Sequence, residues 1–139
     1  MARPYLGGTS AGVKVVSADA TLSASDSGKT ILMGVNGVDI TLPSASEGME
    51  FQIIQTADYS TAVCTIVQAS ASEDFFGAIY GSTQGESAGT DADVGASANT
   101  KITFAAGSLK GDRVRLISDG TVWYVEAFAQ VYNAITFDN

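Results

Sequence analysis

The sequence predicts an all-β domain, a β-sandwich, jelly-roll-like fold or short barrel with almost no helix. Three observations carry that expectation. Apolar residues recur with period two, as in "VDITLP", where Val38, Ile40 and Leu42 share one face and Asp39 and Thr41 the other. Asn36-Gly37 and Asp119-Gly120 each sit between two such runs, the strongest short-range hairpin signal. The runs are also short and frequent, bounded by Gly, Ser, Asn and Asp, which is the habit of sandwiches and barrels.

Taken in order, residues 1–12 read as a flexible arm of small residues in which only Pro4, Tyr5 and Leu6 offer something to bury. A single β-domain then spans 13–139, with strands expected near 13–16, 29–34, 38–42, 49–56, 62–68 and 74–80. Cys64 lies in the apolar run "TAVCTIVQ" and reads as a small buried hydrophobe. Residues 81–100, "GSTQGESAGTDADVGASANT", hold almost no large apolar side chain and cannot offset their own ordering entropy, so they are expected to form a long exposed loop.

Further strands are expected near 101–104, 112–118, 121–131 and 134–137. In "DRVRLI", Val114 and Leu116 point inward and Arg113 and Arg115 outward. In "TVWYVEAFAQV", Trp123, Val125, Ala127, Ala129 and Val131 form one face. The other face carries Glu126 and Gln130 but also Val122, Tyr124 and Phe128, so this strand is apolar on both sides. The chain also echoes itself. "ITLPSASEGMEFQII" (40–54) and "ITFAAGSLKGDRVRLI" (102–117) align with one gap, each a strand, a loop, a glycine (Gly48, Gly111) and a second strand. Two such units suit a two-sheet architecture in which each feeds both sheets.

Composition narrows the function. The 139 residues carry 15 acidic against 7 basic side chains, a formal charge of −8, which repels phosphate backbones and disfavours direct nucleic-acid binding. Histidine is absent and Cys64 is the single cysteine, so an internal disulfide, a Cys/His zinc cluster and an imidazole-activated thiol are all excluded. The first residues show no secretory h-region, and no apolar run approaches the ~20 residues of a membrane helix.

"SASDSGKT" (23–30) ends like a phosphate-binding loop. Such a loop needs glycine separated from its Gly-Lys pair by four residues, and Ser23 stands there; it also needs a helix afterwards, where "ILMGVNGVDITLP" is β-branched and turn-interrupted. "DADVGA" (91–96) starts like a calcium loop, but Gly95 occupies the third ligand position and Ile102 the closing one. Glu73 and Asp74 are adjacent on an extended segment and point apart, so they cannot share a substrate. The expectation is a protein without catalytic residues, cofactor or metal.

Several stretches together, "ADATLSASDSGKTILM", "ITLPSASEGMEFQI", "ITFAAGSLKGDRVRLISDGTVWYV" and the arm "MARPYLGG", resemble small β-structured virion proteins of tailed bacteriophages. The likeness is to head decoration (cement) proteins of phages of marine bacteria and cyanobacteria; related phrases occur in phage fibre modules. It implies a structural protein made in the host bacterial cytoplasm that binds the major capsid protein on the outer capsid surface, often as a homotrimer, with no enzymatic activity. Arg3, Pro4, Tyr5 and Leu6 are then the expected capsid-binding arm. Val122, Tyr124, Phe128, Tyr132, Ile135 and Phe137 are the expected subunit interface. The alternatives are a fibre or receptor-binding module contacting host glycans through exposed aromatics, or another tail or neck component.

Overall fold

The period-two runs form strands with one face turned inward, and two sheets close over those faces. In this computed structural model, residues 12–81, 91–95 and 99–138 are described, with 91–95 described by backbone alone. The strands are β1 (Val13–Val16), β2 (Ala20–Thr21), β3 (Thr30–Met33), β4 (Asp39–Thr41), β5 (Glu50–Gln55) and β6 (Cys64–Val67). They continue as β7 (Phe75–Gly81), β8 (Asp91–Gly95), β9 (Lys101–Phe104), β10 (Arg113–Ser118), β11 (Trp123–Ala129) and β12 (Ile135–Asp138). Among the described residues the helical content is one 3-10 turn, Ala24–Asp26. The expected all-β sandwich is what forms.

The larger sheet has the order β1-β3-β5-β10-β11-β7-β8 and the smaller one β12-β9-β6-β4-β2. From β1 to β6 the chain changes sheet at every step, so β1, β3 and β5 run parallel in one sheet and β2, β4 and β6 run parallel in the other. Parallel neighbours need a long crossover, and here each crossover is a strand of the opposite sheet. The first half is thus a flattened coil. The second half closes it with antiparallel pairs, β10 against both β5 and β11, and β9 against both β6 and β12.

This topology revises two expectations. Asn36-Gly37 does make a turn, with Gly37 at φ +77°, but β3 and β4 lie in different sheets and are not a hairpin. Asp119-Gly120 does join a hairpin, β10 to β11, with Ser118 opposite Trp123. Within the expected loop 81–100, Asp91–Gly95 forms a strand that pairs antiparallel with β7. Backbone hydrogen bonding to an open sheet edge needs no large side chains, which is why composition did not reveal it.

The echo is geometrical. Gly48 donates to the Ser118 carbonyl (2.9 Å) and Ser118 to that of Met49 (2.9 Å), while Gly111 donates to the Gln55 carbonyl (2.8 Å) and Gln55 to that of Asp112 (2.9 Å). Both glycines have positive φ, +76° and +101°, a conformation that other side chains resist. The β5–β10 register, Arg113 with Ile54 through Ile117 with Glu50, is symmetric about the Gln52–Arg115 pair. A local two-fold therefore relates the units. It ends at their third strands: β6 crosses to the smaller sheet and β11 stays in the larger.

The core lies between the sheets. Ile31, Ile53, Leu116 and Trp123 of the larger sheet and Ile40, Ile66, Ile102 and Phe104 of the smaller are fully buried, and Cys64 is buried among them as expected. Trp123 packs against Phe51 at 5.9 Å between centroids. Trp123→Ala is expected to cost about 3–5 kcal/mol in chemical denaturation, and Tyr124→Ala, one residue away on the open side, less than about 1 kcal/mol. Equal costs would refute this assignment of faces.

Candidate functional site

The larger sheet is finished on one side only. Alternation along each strand puts a second set of side chains on its outer face, where no described element covers them. Cross-strand register lines up Val15, Leu32, Ile54, Arg113, Phe128 and Tyr80 in one row across six strands. A parallel row runs through Glu50, Ile117, Tyr124 and Phe76. Val15 is 70% exposed, Tyr124 51%, Tyr80 41% and Phe128 39%, values that scattered surface hydrophobes reach singly but seldom in an ordered row.

The rows are internally braced. Phe128 stacks on Tyr80 at 5.4 Å, and the Arg113 guanidinium lies 5.0 Å from its ring centroid; the two neighbours come from strands on opposite sides of β11. The Tyr124 hydroxyl donates to Asp119 Oδ2 at 2.9 Å. Asp119 also accepts from the Thr121 hydroxyl and from the amides of Thr121 and Val122. The Thr121 hydroxyl foremost, with those amides and Tyr124, holds the Asp119 carboxyl well below its ordinary range, and Asp119 in turn raises the Tyr124 phenol. The hairpin turn thus fixes the ring that stands highest on the face.

Arg115 sits between Gln52 and Glu126 in the middle row, 3.6 Å from Glu50. Shallow depressions adjoin it, one of them of about 340 Å³ and shared with Gly28, Lys29, Thr30 and Glu50. The phosphate-loop look-alike therefore borders the face, but its donors are committed. The Gly28, Lys29 and Thr30 amides donate to the carbonyls of Glu50, Asp26 and Gly12. The Lys29 ammonium is 2.7 Å from Asp26 Oδ1, and Thr30 opens a strand rather than a helix. Asp91–Gly95, the calcium-loop look-alike, is an extended strand. Among the described residues no cluster of carboxylates or Cys is placed to hold a metal ion.

The expected interface set divides. Tyr124 and Phe128 stand on the open face. Val122 is half-buried in the hairpin turn, and Tyr132 is 41% exposed beyond the end of β11. Ile135 is a correction: it is 2% exposed and belongs to the core, because β12 pairs with β9 in the smaller sheet and the Ile135–Phe104 register turns it inward. Phe137 likewise packs against the core as a partly buried residue. Arg3, Pro4, Tyr5 and Leu6 lie outside the described residues. Val13, Val15, Ile54 and Ile117 were not expected on this face. The sequence signal was there in "VKVV" and "RVRLI", but which side of each strand the second sheet would cover was not.

One edge of the face is pinned from below. Asp26, 5% exposed, takes Lys14 of β1 and Lys29 at 2.7 Å each and accepts from the Ser23 amide at 3.1 Å. Burial alone would raise its carboxyl, but the two ammonium groups and the amide outweigh burial and hold it far below its ordinary value of 3.8.

No protein-family model matches the chain, and neither a characterised protein nor a solved structure is significantly similar to it.

The Asp26 clasp has a pH signature. A carboxyl lowered in the folded state stabilises the fold fully above its unfolded value, and that contribution fades as pH falls below about 4. Asp26→Asn should cost about 1–3 kcal/mol at neutral pH, flatten the acid loss of stability and speed amide exchange in Val13–Val16. An unchanged acid limb in pH-dependent denaturation would refute the clasp.

Proposed function

We propose that this chain is a structural virion protein that decorates the outer surface of a tailed-phage capsid by binding the major capsid protein. The observation that carries the reading is the uncovered face of the larger sheet: ordered apolar and aromatic rows on rigid strands suit coverage by protein. The virion-protein phrases in the sequence supply the setting, and the charge of −8 suits an exposed outer surface away from packaged DNA. The working contact with the shell is assigned to the arm, Arg3, Pro4, Tyr5 and Leu6, a short segment that gains affinity by ordering on a partner. The homotrimer implied by the resemblance would set copies around a three-fold position of the shell.

The second reading, a fibre module touching host glycans, draws on the exposed ring of Tyr124. It is weaker because Phe128, the other large ring of the strand, is flanked by Arg113 and Tyr80 and offers no free stacking surface.

Purified chain should cosediment with shells that lack a decoration protein and should raise their resistance to heat. Deleting residues 2–12 should abolish most of that binding while leaving the melting curve of the free protein nearly intact. Density for this chain on a fibre or neck instead of the shell would overturn the reading, and equal binding by the truncated chain would remove the arm from it.

A further inference from the structure

We propose that the open face of the larger sheet is covered by the same face of a second copy of this chain, in a two-fold pair. This rests on the capsid-decorating role proposed above but departs from its three-fold arrangement: the open face is assigned to a two-fold pair, leaving the arm for the shell.

Charge is the first ground. Copies carrying a net charge of −8 repel one another over most of their surface. On the described part of this face the charged side chains are Arg113, Arg115, Glu50 and Glu126, which cancel. The strands of this face thus add no net charge to the repulsion between like copies.

Register is the second ground. β10 and β11 place Arg113 opposite Phe128, Arg115 opposite Glu126 and Ile117 opposite Tyr124. Consider a two-fold axis above the face, parallel to the strands and midway between β10 and β11. It lays β11 of the second copy over β10 of the first without shift along the strands. Each Arg115 then meets Glu126 of the other copy and each Ile117 meets Tyr124, while the Arg113 and Phe128 side chains, already in cation–ring contact within one chain, lie against their counterparts. The same operation sets Ile54 of β5 over Tyr80 of β7. The Arg115–Glu126 charge pair and the Ile117–Tyr124 and Ile54–Tyr80 contacts coincide in one operation, as an isologous contact requires, while Glu50, which stays beside its own Arg115, comes over Phe76. Sheets pack face to face at about 10 Å with nearly aligned strands, so the geometry is an ordinary one.

Size is the third. Six of the seven strands overlap under that operation, and at about 4.8 Å spacing and about 15 Å of length they give roughly 430 Å² of flat area before side-chain relief. That is the order of the ~800 Å² each partner buries in a stable pair.

Sedimentation equilibrium of the free full-length chain, across a concentration series and with no capsid present, tests this separately from capsid binding. The expected species is a dimer. Arg115→Glu and Glu126→Arg, both at exposed positions, should each raise the dissociation constant by about a hundredfold. An equimolar mixture of the two variants should restore one-to-one pairs. Mixing is decisive because Arg115 and Glu126 are also neighbours within one chain, and only a contact between chains is repaired by it. Should either variant lose the wild-type circular dichroism spectrum, Ile117→Lys replaces it and should weaken pairing. A wild type that is monomeric or trimeric throughout, single variants that pair as well as wild type, or a mixture that stays monomeric would each overturn the proposal.

Discussion

The structure depends on one seam, the antiparallel pairing of β5 with β10. On one side of it the chain has wound a parallel coil, β1 to β6, whose larger sheet ends at β5. On the other lies a mixed half, in which β10 pairs antiparallel with β11 and β11 parallel with β7. Each half alone would leave a row of unpaired amides and carbonyls along an apolar edge. The seam joins them, and its ends are closed by the reciprocal bonds of Gly48 with Ser118 and Gly111 with Gln55. The local two-fold follows because two similar segments, meeting antiparallel in symmetric register, make the same bonds from both ends.

That seam also sets what is buried. It places Phe51 beside Leu116 and, one strand further, Trp123, so the largest side chains of the core gather near the junction. Antiparallel sheets often leave one face to water, with polar residues alternating outward. Here the alternation is only partly polar: Gln52, Arg115 and Glu126 form a polar middle row between two apolar ones. Charge interrupts the apolar rows of such a sheet, yet it retains a surface that gains by being covered.

Polar groups inside the fold fasten its loops to the ends of its strands. Asp26 binds Lys14 and Lys29 beneath the first strands of the larger sheet. Asp112, fully buried, accepts from the amides of Leu109 and Gln130, and Gln55 donates to the carbonyls of Ala57 and Ser108. These carboxylates and the Gln55 amide nitrogen engage groups of neighbouring loops, which holds the ends of the strands in place. Their engagement explains how, among the described residues, the Asp26 and Asp112 carboxylates can be buried with their charges met.

What the sequence by itself determined is everything local. Period-two alternation located ten of the twelve strands and the inward side of β10 and β11, because side chains alternate along any strand regardless of its neighbours. It missed β2, two residues long, and β8, whose small and acidic residues pair through backbone alone. The glycines of the repeated units were legible because backbone geometry restricts their positions to glycine. Tertiary structure alone decided which strands share a sheet. Asn36-Gly37 has the same local chemistry as Asp119-Gly120, yet one turn crosses between sheets and the other closes a hairpin. It also decided which apolar faces remain open: Ile135 and Tyr124 look alike in the chain, but the first is covered by the opposite sheet and the second by nothing described. Burial is a property of what lies across the gap, and no pattern within a single strand can encode that.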